Sequence, residues 1–89
     1  MCTMILEKSE ISGMGKGAEG WFNVNAVNVS FDHPLHSPED HALNIDFVNK
    51  EMGPGARVAV ELSPDSAEGL VRAITQAMAR GEQSLHSAD

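Results

Sequence analysis

The sequence predicts an α+β fold, a four-stranded antiparallel sheet in the order β-β-β-β-α with one C-terminal helix packed on one face. Four segments before residue 63 alternate apolar and polar residues with the period of a strand. A later segment carries apolar residues at helical spacing. The connections between the strands are short, so consecutive strands should pair as antiparallel hairpins.

The first predicted strand covers residues 2–11 and is followed by a glycine-rich segment, residues 12–20. Four glycines in this segment indicate a flexible hairpin loop, because glycine adopts positive φ without steric cost. A phosphate-binding loop is disfavoured. Lys16 is not followed by Ser or Thr, and the next segment is a strand rather than a helix whose N-terminus would receive phosphate.

The second predicted strand, residues 21–32, changes its apolar phase partway. Its first half places apolar residues at even positions and its second half at odd positions: Phe22, Val24 and Ala26, then Val27, Val29 and Phe31. One extra residue near Ala26 would reconcile the halves, which predicts a β-bulge there.

The third and fourth predicted strands, residues 41–49 and 57–62, each have one apolar face, and residues 50–56 form the turn between them. The simplest register between the second and third strands pairs apolar with apolar residues: Phe31 with Leu43, Val29 with Ile45, and Val27 with Phe47.

A helix is predicted to begin at Ser63, which offers an N-cap hydroxyl, followed by Pro64 at the first helical position and the acidic Asp65. Gly81 is expected to end it. The chain is thus expected to form a single domain over residues 1–81 with a polar tail over 82–89. The apolar stripe of this helix consists of Ala67, Leu70, Val71, Ile74, Ala77 and Met78.

Composition bounds the partners. The chain has 89 residues and one cysteine, Cys2, so a thin core without an intrachain disulfide favours a homodimer. The net charge is −7 and the cations are scattered, so neither nucleic acid nor a membrane is an expected partner. No apolar run reaches the about 20 residues of a membrane span, and the N-terminus does not resemble a secretion signal, so a cytoplasmic location is expected.

Three of the four histidines, His33, His36 and His41, lie within nine residues. Histidine is the commonest metal ligand and also titrates near neutral pH. The cluster predicts a metal-binding site for a divalent transition metal such as zinc, iron, nickel or copper. An open coordination position would make the protein a metalloenzyme, although the residues do not name a substrate or a reaction.

The register of the predicted hairpin sets His33 opposite His41 on the core-facing side, with Asp32 on the other face. His36 falls in the loop between them. Two alternatives remain open: a polar surface loop in a non-catalytic homodimeric interaction or accessory protein, and a metal-free enzyme that uses a histidine as acid or base.

Three short motifs carry a resemblance: Met-Cys-Thr-Met-Ile at residues 1–5, Gly-Lys-Gly-Ala-Glu-Gly-Trp-Phe at 15–22 and Phe-Asp-His-Pro at 31–34. With them the chain resembles a family of small bacterial proteins of unknown function over most of its length up to the helix. The resemblance implies a free-standing bacterial protein. It implies no activity, ligand or catalytic residue.

Overall fold

Residues 5–32 and 41–87 of the computed structural model are described here, and within them four strands are followed by one helix. The strands form a single antiparallel sheet in the order β1-β2-β3-β4. This arrangement confirms the predicted α+β fold class. The elements are β1 (Ile5–Gly17), β2 (Gly20–Asp32), β3 (Ala42–Val48), β4 (Arg57–Leu62) and α1 (Pro64–Ser87).

Most of the glycine-rich segment, residues 12–17, belongs to β1, so the prediction of a flexible loop over residues 12–20 was wrong. Only Ala18 and Glu19 form the turn, and Gly20 follows with a φ of 115°. Gly13 pairs with Val24 and Gly15 with Phe22. A Cβ atom built on Gly15 would lie 3.0 Å from Val24 Cγ2, and one on Gly17 would lie 3.1 Å from Phe22 Cε1. These two glycines therefore make room for β2 side chains rather than making β1 flexible.

The sheet curls until its two edge strands, β1 and β4, approach each other. A Cβ atom built on Gly15 would lie 3.6 Å from Val58 Cγ2 in β4, and one on Gly17 would lie 3.5 Å from the carbonyl oxygen of Arg57. The core lies inside this curl. One cluster of the core consists of buried Phe22, Val24 and Ala56, with Ile11, Phe47 and Val58 packed against them. Four further apolar residues of the described chain are also buried: Ala26, Ala42, Ile45 and Ala67.

An irregularity in the β1–β2 ladder lies at the level where the apolar phase of β2 changes. Glu10 pairs with Ala26 and Gly13 with Val24, so two residues of β1 stand opposite Asn25. The predicted bulge near Ala26 is thus found at this level, but the extra residue belongs to β1 rather than to β2. A bulge bends the strand and increases its twist, which agrees with the curl of the sheet.

The predicted register between the second and third strands is confirmed. Phe31 pairs with Leu43, Val29 with Ile45 and Val27 with Phe47, and the described ladder ends at Asp32 and Ala42. Each apolar residue meets another across the strands, so a slip by one residue would turn every one of them to the opposite face.

Asn49 fixes the turn between β3 and β4 to the neighbouring strand β2. Its Nδ2 donates to the carbonyl oxygen of Asn23 at 2.9 Å, and its Oδ1 accepts from Asn25 Nδ2 at 3.4 Å and from the amide of Glu51 at 2.9 Å. Asn25 Oδ1 in turn accepts from the amide of Lys50 at 3.0 Å. The side chain of Asn25 and the backbone carbonyl of Asn23 therefore hold this turn of their own chain.

Helix α1 begins as predicted but extends further. Ser63 Oγ accepts from the amide of Ser66 at 3.2 Å, which satisfies a free N–H of the first turn. The helix continues through Gly81 to Ser87, so the predicted end at Gly81 was wrong. Gly81 does not take the positive φ with which a glycine usually stops a helix. Leu85 continues the apolar stripe seven residues beyond Met78.

Packing of α1 on the sheet is limited to its first turns, at β3 and β4, where Ala67 is buried. From Leu70 to Leu85 every residue is exposed, so the expected cover of a sheet face is confined to the start of the helix. The chain is elongated as a result. Its radius of gyration is 15.5 Å, compared with about 12 Å for a compact domain of this length.

Candidate functional site

His41 is the member of the predicted histidine site that the structure describes, and it lies directly before β3. Its ring stacks on Phe31 of β2, with ring centroids 5.6 Å apart and an angle of 5° between the planes. The imidazole is exposed, so the stack leaves it open to solvent. His33 and His36 lie outside the described residues, as does Cys2. The three-histidine site therefore remains a prediction.

Asp32 occupies the place expected of it. It pairs with Ala42, one position beyond the pairing of Phe31 with Leu43, and successive strand residues point to opposite faces. The carboxylate of Asp32 therefore lies on the other face from the ring of Phe31. Within residues 5–32 and 41–87, no three His, Cys, Asp or Glu side chains come together as a metal site would require.

The apolar stripe of α1 is exposed over most of its length. The exposed fractions are 41% for Leu70, 62% for Val71, 55% for Ile74, 62% for Met78 and 73% for Leu85. Val71, Met78 and Leu85 recur at seven-residue intervals, the spacing of a helix that packs against another surface. The sequence predicts this stripe, apart from Leu85, as the surface that packs on the chain's own sheet, but beyond Ala67 the stripe is exposed.

A second apolar surface lies on the curled sheet, where an open groove of about 370 Å³ follows β1. The exposed side chains of Met14 and Trp21 stand at this groove, 58% and 67% exposed, and Lys16 is the charged residue of its lining. Phe22 is in the core, and Trp21 is exposed. The lining is Ile11, Gly13, Met14, Gly15, Lys16, Trp21, Val24, Phe47 and Val58.

The other face of the sheet is polar by comparison. A pocket of about 300 Å³ on this face is lined by both charged and neutral residues, among them Lys8, Glu10, Asn28 and Lys50. Arg57 donates to Asp46 Oδ1 from Nη2 at 2.8 Å and from Nε at 3.1 Å. This ion pair is largely solvated, so it contributes little to stability. The candidate functional surfaces are therefore the stripe of α1 and the groove along β1 rather than this polar face.

A family model described as a family of unknown function, DUF6295, matches residues 1–87. The chain belongs to this family. The match confirms the resemblance seen in the three short motifs, and it extends that resemblance through α1. No curated protein and no solved structure shows significant similarity to the chain.

Membership of the family supplies no activity, so any function has to be argued from the surfaces described above. Within the described residues, no helix combines the length and the apolar character that crossing a bilayer requires. The stripe of α1 occupies one side of an amphipathic helix whose other side carries Arg72, Gln76 and Arg80.

Proposed function

We propose that the protein is a non-catalytic interaction protein that works as a homodimer, with the apolar stripe of α1 in the dimer interface. The observation that carries this proposal is the exposure of the stripe from Leu70 to Leu85. A helix with an apolar stripe is stable in water when that stripe is covered, because isolated helices gain little stability from propensity alone.

The size of the exposed surface supports a protein partner. The five large side chains of the stripe expose about 500 Å² of mainly apolar surface, and an apolar patch of roughly this size is often a functional contact surface. Burying that area contributes about 12 kcal/mol per chain at 25 cal/mol per Å², before the costs of association. A second copy of the chain is a partner that is always available, and it carries an identical apolar stripe.

Sedimentation equilibrium of the full chain tests the proposal, with a matched pair of variants. Ile74→Glu places a charge in the stripe, whereas Gln76→Glu places the same charge on the opposite side of the same helix. We expect the wild type and Gln76→Glu to be dimers and Ile74→Glu to be a monomer. A wild type that stays monomeric at every attainable concentration would contradict the proposal, as would equal behaviour of the two variants.

We also propose a divalent transition metal site formed by His33, His36 and His41. Its support is the confirmed register, which carries β2 and β3 in step as far as Asp32 and Ala42, and the position of His41 directly before that pair. The stack of His41 on Phe31 puts its ring on the face that this register assigns to it. Zinc, iron, nickel and copper suit a set of imidazole ligands.

Metal analysis of the untagged protein tests this second candidate. We expect a stoichiometric ion in the wild type that is lost in His33→Ala and in His41→Ala. His86→Ala removes the fourth histidine, which lies in α1, and should keep the ion. Wild-type protein that contains no metal and takes up none of the four ions would exclude the site. We place both functions in the bacterial cytoplasm, in keeping with a chain that has one cysteine.

A further inference from the structure

The apolar groove along β1 and the apolar stripe of α1 have complementary properties. The groove has Gly13 in its lining, where a Cβ atom would meet nothing within 4 Å, so another chain can approach this residue closely. Ile11, Val24, Phe47 and Val58 supply its apolar walls. The stripe is a straight row of branched and flexible apolar side chains on a helix of 24 residues, about 36 Å long.

The chain's own helix does not fill this groove. Helix α1 contacts β3 and β4 near its start, and its stripe from Leu70 onward is exposed. Met14 and Trp21, which stand at the groove, are exposed as well. Both surfaces of the described chain are thus open at the same time.

The geometry points to helix exchange between two copies of the chain, in which α1 of each copy lies with its stripe in the β1 groove of the other. This inference deepens the proposed homodimer, on which it rests, by naming the surface that receives the stripe. Each copy gives one helix and one groove, so the contact is the same in both directions and closes as a two-fold dimer.

The buried area favours exchange over direct pairing of two helices. A helix pair would cover about 500 Å² on each copy, which falls below the about 800 Å² per partner of a standard stable interface. Met14 and Trp21 add about 300 Å² on each copy when the groove is also covered. Exchange therefore reaches the standard size, whereas a helix pair leaves the groove open to water.

Charge also fits this arrangement. Glu68 and Glu82 lie 14 residues apart on one flank of the stripe, with Thr75 midway between them. Lys16 is the charged residue of the groove. A helix seated in the groove with this flank toward β1 brings opposite charges together at the rim, where they favour one orientation of the helix over the reverse.

Disulfide trapping between two differently tagged chains tests the inference. Both chains carry Cys2→Ser; one also carries Met14→Cys and the other Met78→Cys. The chains are mixed, allowed to exchange and oxidised, and the linked products are identified by mass spectrometry. We expect the mixed disulfide between positions 14 and 78 to be the main product, and to fall several-fold when Gln76→Cys replaces Met78→Cys.

The outcomes separate this inference from the proposed function. A dimer by sedimentation that links position 78 to position 78 instead would overturn helix exchange and leave the homodimer standing. A dimer that forms no link to position 14 would have the same meaning. A monomer by sedimentation would overturn both, and a disulfide between 14 and 78 placed in one monomeric chain would then show that the helix folds onto its own groove.

Discussion

Alanine at Gly15 should destabilise the protein although it adds a single methyl group. The added Cβ atom would lie 3.0 Å from Val24 Cγ2, 3.6 Å from Val58 Cγ2 and 3.7 Å from Phe22 Cζ. Val24 is 5% exposed and belongs to the core, so it cannot move away freely. Overpacking of this kind costs about 1–3 kcal/mol.

A gain in backbone entropy opposes this cost. Replacing glycine by alanine where φ is negative stabilises a chain by about 0.4–1 kcal/mol, because the unfolded state loses freedom. The net loss at Gly15 is therefore about 1 kcal/mol. Gly13→Ala is the matched control: Gly13 lies in the same strand, and a Cβ atom built there meets nothing within 4 Å. It should be neutral or stabilising.

Urea unfolding at one fixed protein concentration gives the free energies, since dimerisation makes stability depend on concentration. We expect the midpoint of Gly15→Ala to fall below that of the wild type and that of Gly13→Ala to stay or rise. In thermal unfolding the difference corresponds to about 4–8 °C per kcal/mol for a domain of this size. Equal midpoints for the two variants would refute the role of Gly15 as a close contact in the curl.

Two further variants test the local anchors of the fold. Asn49→Ala removes two hydrogen bonds that join the β3–β4 turn to β2 and one within the turn, and it should cost about 1–2 kcal/mol in urea unfolding, whereas Asn28→Ala, in the open polar pocket, should cost less. Ser63→Ala removes the N-cap of α1 and should cost about 1 kcal/mol, measured the same way, with Ser84→Ala near the other end of the helix as its control; equal losses would argue against the cap.

The sheet pairing could be predicted because the signals along β2 and β3 are local and agree with one another. Phe31 and Leu43 alternate with polar neighbours in clean steps of two, so one register buries all the apolar pairs. The start of α1 could be predicted for the same reason, because the signals from Ser63 and Pro64 concern only the first turn of the helix.

The glycines of β1 and the end of α1 could not be predicted, because distant residues determine them. Gly15 lies in a segment whose glycine content is typical of a loop. It is a strand residue because Phe22 and Val24, across the hairpin, occupy the space beside it. Gly81 ends a helix when its φ turns positive, and the sequence does not state its φ.

The candidate interaction surface was half predicted. An apolar stripe predicts a contact surface but does not identify what it contacts, so Ile74 and Met78 were assigned to the chain's own sheet, although both are exposed. The groove arises from the curl of the sheet, which depends on the bulge and on the glycines together. The histidine prediction rests mainly on residues outside 5–32 and 41–87.

The curl of the sheet has a consequence for how this family can vary. Its curvature depends on the absence of side chains at Gly15 and Gly17 of β1, because side chains of Phe22 and Val24 in β2 fill that space. The sizes of residues 15 and 24 are therefore tied to each other: Gly15→Ala should be tolerated better when Val24→Ala accompanies it. Relatives that carry a side chain at position 15 should carry a smaller residue at position 24, or have a flatter sheet with a wider groove.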